Sequence, residues 1–184
     1  RTSVLGHMLI VAILSYLFTR EIRGCRRRLV NNYFTGLFHD LPEVLTRDII
    51  NPVKRSVEGL EGVIRKYEQE EMRKIYGLLP DSWRERMRLF TEDEFSTVAV
   101  VRGRRVNRTP EEISRLYNDD RHDPRDGEIV RAMDDLAAFL EAQAALDNGI
   151  RNRRLDDART AIRARYLTRT ICGVRLGEIF ADFD

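Results

Sequence analysis

The chain has 184 residues, a length that fits one domain and leaves no room for two full ones. Its 32 Lys and Arg against 30 Asp and Glu leave a formal charge of +2, which gives no bulk electrostatic reason to expect a nucleic-acid polymer as partner. Hydrophobic residues at 42% argue against disorder, and two distant cysteines, Cys25 and Cys172, exclude a disulfide framework or cysteine zinc site and point to a reducing, cytoplasmic compartment.

The most apolar stretch, Met8 to Phe18, has 11 residues, about half of the ~20 that cross a bilayer. No basic segment precedes it and no small-residue cleavage site follows, so it reads as a buried core helix with no membrane partner. The chain starts at Arg1 without Met, and a short N-terminal segment of the natural protein is expected before it. Val4 to Arg23 is apolar almost all round, the pattern of a central helix covered on most sides. Arg26-Arg27-Arg28 reads as a solvated helix start, since no aromatic residues interleave with it.

Leu29 to Asp40 predicts a second helix rich in Tyr33, Phe34, Leu37 and Phe38. Pro42 then imposes a kink or starts a new short helix, and Asn51-Pro52 marks a turn. Val57 to Tyr76 is amphipathic, and Pro80-Asp81-Ser82 opens a helix through Phe90. Thr97 to Val101, then Arg102-Gly103 and Arg104 to Val106, predict a small β-hairpin. Thr109 before Pro110 is a helix entry running to about Tyr117, and residues 118–127 read as a polar loop. Glu128 to Leu146, Arg153 to Leu167 and a short C-terminal piece complete the helices. The expected architecture is one all-α domain over residues 1–184, a helical bundle with a small hairpin near 97–106.

Four residues on three of these helices suggest chemistry: His7, His39, Asp40 and Asp134. Imidazole nitrogens and carboxylate oxygens are the ligands a divalent transition metal favours, and four of them leave positions open for water and substrate. On its own, His7 shares a face with Val4, Val11 and Leu14 and fits either a core histidine donating to a carbonyl or a ligand. Asn32, Thr35/Gly36, His39 and Glu43 form a polar stripe on an otherwise apolar helix, which partners, water or a metal must satisfy. On the late helix Asp134 borders the apolar face centred near Met133, while Asp135 is expected to point to solvent. His122-Asp123 repeats the His-Asp pair in a polar loop before Pro124 and is read as a decoy. The Asn107-Arg108-Thr109 sequon is idle without secretion.

The H…HD…D pattern resembles the HD-domain superfamily of metal-dependent phosphohydrolases. The segment FHDLPEVLTRDIINPVK, Phe38 to Lys54, resembles the bacterial and archaeal branch that contains the HD-domain 5′-deoxynucleotidase. The likeness covers residues 3–54 well and 128–147 fairly, and the middle resembles nothing identified. It implies an HD-domain helical bundle and metal ligation by His7, His39, Asp40 and Asp134. The metal would be Co, Mn, Mg, Zn, Ni or Fe. It also implies a catalytic glutamate at Glu43, a sugar contact at Asp48 and a phosphate contact at Lys54. The family commonly has an acidic residue before its first histidine, where this chain has Gly6. The branch's N-terminal Arg-Trp pair is not in this chain. The implied function is a metal-dependent phosphomonoesterase, a 5′-nucleotidase on (deoxy)nucleoside 5′-monophosphates, cytoplasmic and a homodimer. The alternatives are an HD-type phosphodiesterase or pyrophosphohydrolase, or a non-catalytic HD regulatory module.

Overall fold

The computed structural model describes residues 3–46 and 59–183. Helix α1 (Val4–Glu21) begins at Ser3, whose side chain accepts a hydrogen bond from the Gly6 amide at 3.0 Å. Helix α2 (Arg26–Phe38) packs back across α1. The two approach closely at Gly36, where an added Cβ would stand 3.0 Å from the Ala12 backbone, tighter than ordinary packing allows without a shift. Pro42 starts a new helix rather than kinking α2: α3 (Leu41–Thr46) follows directly on His39 and Asp40. The expected turn at Asn51-Pro52 lies outside the described residues. Helices α4 (Leu60–Leu78) and α5 (Asp81–Thr91) follow, with Pro80 between them as expected.

The hairpin forms: β1 (Thr97–Val101) pairs antiparallel with β2 (Arg104–Asn107) around Arg102 and Gly103, both at positive φ. After a Thr109–Glu112 capping box come α6 (Pro110–Glu112) and a π-turn over Ile113–Tyr117. The stretch expected to be a polar loop contributes a third strand. Here β3 (Arg125–Asp126) pairs with β1, giving the order β2-β1-β3. Its two charged residues hide the strand from a hydrophobicity pattern, because they are satisfied by distant partners. Arg125 donates to the carbonyls of Leu89, Asp93 and Ser96, and Asp126 accepts from Arg28. Helix α7 (Gly127–Asp147) leads to α8 (Arg153–Tyr166). A second hairpin follows, β4 (Thr170–Ile171) and β5 (Val174–Arg175), which the sequence reading does not contain. The chain ends in α9 (Leu176–Ala181).

The core is one face of α7, from Ile129 to Phe139, packed on Val11 and Phe18 of α1 and on Tyr166, Leu176 and Phe180. Helix α1 is less covered than its composition suggests. Leu5, Leu9, Ile13 and Leu17 stay exposed, because α2 and α7 occupy its other sides. Its length and composition would also suit a membrane span, but a third of it is buried in this fold and its His7 pairs with charged groups on α7.

Of the basic start expected to be solvated, Arg26 and Arg27 are exposed, but Arg28 departs from that reading, being fully buried. Its Nε and Nη2 donate to the two oxygens of the equally buried Asp126 at 2.6 and 3.0 Å, and Nη1 donates to Ser114. Asn32 joins them, donating to Asp126 and to Thr19 Oγ1 and accepting from the Asp126 amide. Within the polar stripe on α2, Asn32 is thus satisfied by protein partners, while Thr35 Oγ1 and His39 Nε2 have no hydrogen-bond partner among the described residues. Removing one partner of such a pair leaves a buried, uncompensated charge. Asp126→Ala is expected to lower unfolding free energy by about 3–5 kcal/mol in urea titrations. Asp157→Ala, whose Arg153 pair is 3.9 Å apart and mostly exposed, should cost less than ~1 kcal/mol.

Candidate metal centre

Helices α1, α2 and α7 bring His7, His39 and Asp134 together, one ligand atom from each lying within 4.8 Å of the others. His39 caps the C-terminus of α2 and is 4% exposed. Its Nδ1–H donates to the Gly36 carbonyl at 2.9 Å, so in the neutral ring Nε2 carries the lone pair. That buried nitrogen has no hydrogen-bond partner among the described residues. It faces Asp40 Oδ2 at 3.3 Å and Asp134 Oδ1 at 3.6 Å.

His7 is in the same position from the other side. Its Nε2 stands 2.9 Å from Asp134 Oδ1 and its Nδ1 3.0 Å from Glu141 Oε1. A neutral imidazole can donate to only one of two carboxylates, so its other nitrogen would set a lone pair against a second anion. Lone pairs facing carboxylates are stable only with a cation between them, a proton or a metal ion. With protons in that place, burial opposes the charge on both rings, but the carboxylates outweigh it. His7 is raised to about 9 by Asp134 and Glu141, and His39 to about 10 by Asp134 and Asp40. Burial alone would raise Asp134, yet the two imidazoles hold it well below the usual carboxylate range.

The orphaned Nε2 and the nitrogen–oxygen donor set fit a divalent metal ion. His7, His39 and Asp134 could hold it, with Asp40 beside them. Asp134 and Asp40 are 26% and 29% exposed at their side chains, so the cluster opens to solvent on one side. The apolar groove between α1 and α2, lined by Ile13, Tyr16, Leu17 and Tyr33 among others, contains none of these residues.

The sequence reading missed Glu141, which reaches His7 from α7 and supplies a carboxylate that Gly6 cannot. Its signal was available: Glu141 follows Asp134 by seven residues, two turns along one helix face. Glu94 was missed too. It is half-buried beside the cluster, and burial raises it while the charges of His39 and Asp40 act on it in opposite senses. Asp135 does not point freely to solvent, because α8 covers it. It accepts from Tyr166 at 2.7 Å and from Arg165 at 2.6 Å. Glu43 sits in the first turn of α3, its amide donating to the Asp40 carbonyl at 3.0 Å. Asp48 and Lys54 lie outside the described residues. His122 donates to the Val100 carbonyl, and Asp123 pairs with Arg27, Arg86 and Arg105, both roles in fold architecture.

The family model for the HD domain matches residues 1–163. No curated protein and no solved structure matches the chain.

Chelated protein should show the charge of this cluster in its stability. Two imidazoles raised above 6.5 contribute stability that is fully present below pH 6.5 and is lost as pH rises through about 9 and about 10. Asp134 acts in the opposite sense, its contribution being lost as pH falls below 3.8. Denaturant midpoints of metal-free protein are expected to fall between pH 6.5 and 10, and a flat profile would contradict the charged cluster. In elemental analysis, His39→Ala and Asp134→Ala should lose metal. Asp135→Ala should keep it, while losing stability through Tyr166.

Proposed function

This chain belongs to the HD-domain family, and we propose that within it the protein is a metal-dependent phosphomonoesterase acting on nucleoside 5′-monophosphates, 2′-deoxynucleotides foremost. HD domains are metal-dependent phosphohydrolases in general. The observation that carries the chemistry is the buried His39 Nε2, without a hydrogen-bond partner among the described residues and aimed at the Asp40 and Asp134 carboxylates. The choice of substrate is supported by the likeness of Phe38 to Lys54 to the deoxynucleotidase branch.

His7, His39 and Asp134, with Asp40 beside them, would hold a divalent ion, which would supply Lewis acidity toward water and phosphoryl oxygens. The chain's own groups supply orientation and proton handling. The Gly36 carbonyl fixes the His39 tautomer, and Glu141 would accept the Nδ1 proton of His7 once its Nε2 ligates, so that both Nε2 atoms could present lone pairs to the same place. Glu43, one turn beyond His39, handles the proton, giving it to the departing 5′-oxygen or orienting the attacking water. Asp48 accepts a hydrogen bond from the sugar 3′-hydroxyl, and Lys54 approaches the phosphate.

Metal-dependent turnover across a panel of nucleotides tests the assignment. A 2′-deoxynucleoside 5′-monophosphate should be cleaved faster than its ribo counterpart, and a 2′,3′-dideoxy analogue poorly, because the carboxylate at Asp48 would be left unpaired. Asp48→Ala should narrow those differences. Glu43→Gln should keep its metal and lose on the order of 10²-fold in rate. Cleavage confined to cyclic or pyrophosphate substrates would move the chain to a phosphodiesterase or pyrophosphohydrolase class. No turnover of any would favour a regulatory module.

A further inference from the structure

Phe95 stands between two unlike groups. Its ring meets that of His39 in a T-shaped contact, centroids 6.1 Å apart, and the guanidinium of Arg131 lies over it with Cζ 3.8 Å from its centroid. The Arg131 head therefore lies within the sum of those two distances of the His39 ring. Arg131 is on α7, one turn before Asp134, a spacing that puts both on neighbouring parts of one helix face. The ring is held in place from behind. The Phe95 backbone packs against Gly127 so tightly that a Cβ there would stand 2.1 Å from the Phe95 carbonyl carbon.

Arg131 is exposed, and no carboxylate or hydrogen-bond acceptor engages it among the described residues. By contrast, Arg27, Arg86, Arg105, Arg165 and Arg169 each reach a carboxylate. A guanidinium stacked on an aromatic face is positioned without using its N–H edge, which stays free for a pair of oxygens. The charge at the cluster calls for such a group. Asp40 and Asp134 would neutralise a divalent ion between them, and Glu141 adds a further negative charge, so apart from the Lys54 contact proposed above a phosphate dianion would meet no net positive charge at the cluster.

We infer that Arg131, stacked on Phe95 beside the metal cluster, binds the phosphoryl group of the substrate through its non-reacting oxygens. The inference rests on the phosphohydrolase reading, since it presumes a phosphate ester at the cluster. It makes Arg131 a binding residue that His7, His39 and Asp134 do not replace. Lys at this position would keep the charge but lose the planar fork.

The test uses the full chain loaded with Mn²⁺, as wild type, Arg131→Gln and Arg131→Lys, and inorganic phosphate as the probe. Calorimetric Kd for phosphate, metal content, thermal stability without phosphate, and KM and kcat for the best ester of the panel are measured together. Arg131→Gln is expected to weaken phosphate binding and raise KM by about tenfold or more, with metal content as in wild type and unliganded Tm within a few degrees of it. Arg131→Lys should recover part of the loss. Equal phosphate Kd in wild type and Arg131→Gln would overturn the inference. So would loss of metal, or a drop in unliganded Tm beyond the few degrees that losing one exposed cation–π contact costs, which would make Arg131 a structural residue. If wild type binds phosphate through Arg131 but hydrolyses no ester, the phosphohydrolase reading fails while the phosphate contact stands.

Discussion

The bidentate pair between Arg28 and Asp126 sets the register of the helices that build the centre. Asp126 immediately precedes α7, and Arg28 and Asn32 lie in the first half of α2. From Asn32 to His39 is seven residues and from Asp126 to Asp134 eight, so both helices travel about 10–12 Å from the shared knot before their functional side chains meet. Helix α1 runs the opposite way. Its Thr19 touches Asn32 at the knot, its Ala12 meets Gly36 midway, and its His7 reaches Asp134 at the far end. A buried charge pair tolerates little displacement, because each partner is costly without the other. One polar contact at the closed end of the bundle thereby determines which side chains face one another at the open end.

At that open end the constraint is electrostatic. The carboxylates of Asp40, Asp134 and Glu141 converge on two imidazoles, one of them almost fully buried. Such an arrangement is not a stable set of neutral hydrogen bonds, and it remains acid–base active far above the ordinary range of histidine. Binding a divalent ion would exchange the excess protons for metal charge, which couples metal affinity to pH and proton release to binding. Orientation is decided one layer out. The Gly36 carbonyl determines which nitrogen of His39 carries the proton, and Glu141 offers His7 Nδ1 an acceptor that would leave its Nε2 free to ligate.

Arginine serves three purposes around this centre, distinguished by surroundings rather than by sequence. Arg28 is a buried tie between segments, and Arg125 is a buried brace that donates to the Leu89 carbonyl in the last turn of α5 and to the loop carbonyls of Asp93 and Ser96. Burial, with Arg105 nearby, pushes Arg125 down to about 10, so its structural task is performed against its own charge. Arg131 alone of these is exposed, stacked on a ring that also touches His39. The near balance of 32 basic and 30 acidic residues therefore conceals a local distribution in which most contacts are paired and the centre is locally acidic.

Local physics made much of this protein legible in its sequence. Helical periodicity located the long helices, Pro42 and Pro80 marked where helices begin, and β-branched residues at Thr97 to Val101 marked the hairpin. His7, the His39-Asp40 context and the position of Asp134 beside the apolar face of α7 pointed to three helices that converge, because each of those signals spans only a few residues. What tertiary structure alone decided lies in pairs far apart along the chain. Arg28 and Asp126 are separated by 98 residues, and His7 and Glu141 by 134. A charged residue reads as exposed until its partner is known, so the burial of Arg28, the β3 strand and the capture of Asp135 by Tyr166 could not follow from composition or period. The open face of α1 has the same origin. An apolar helix shows how much surface it can bury, and only the packing of its neighbours shows how much is covered.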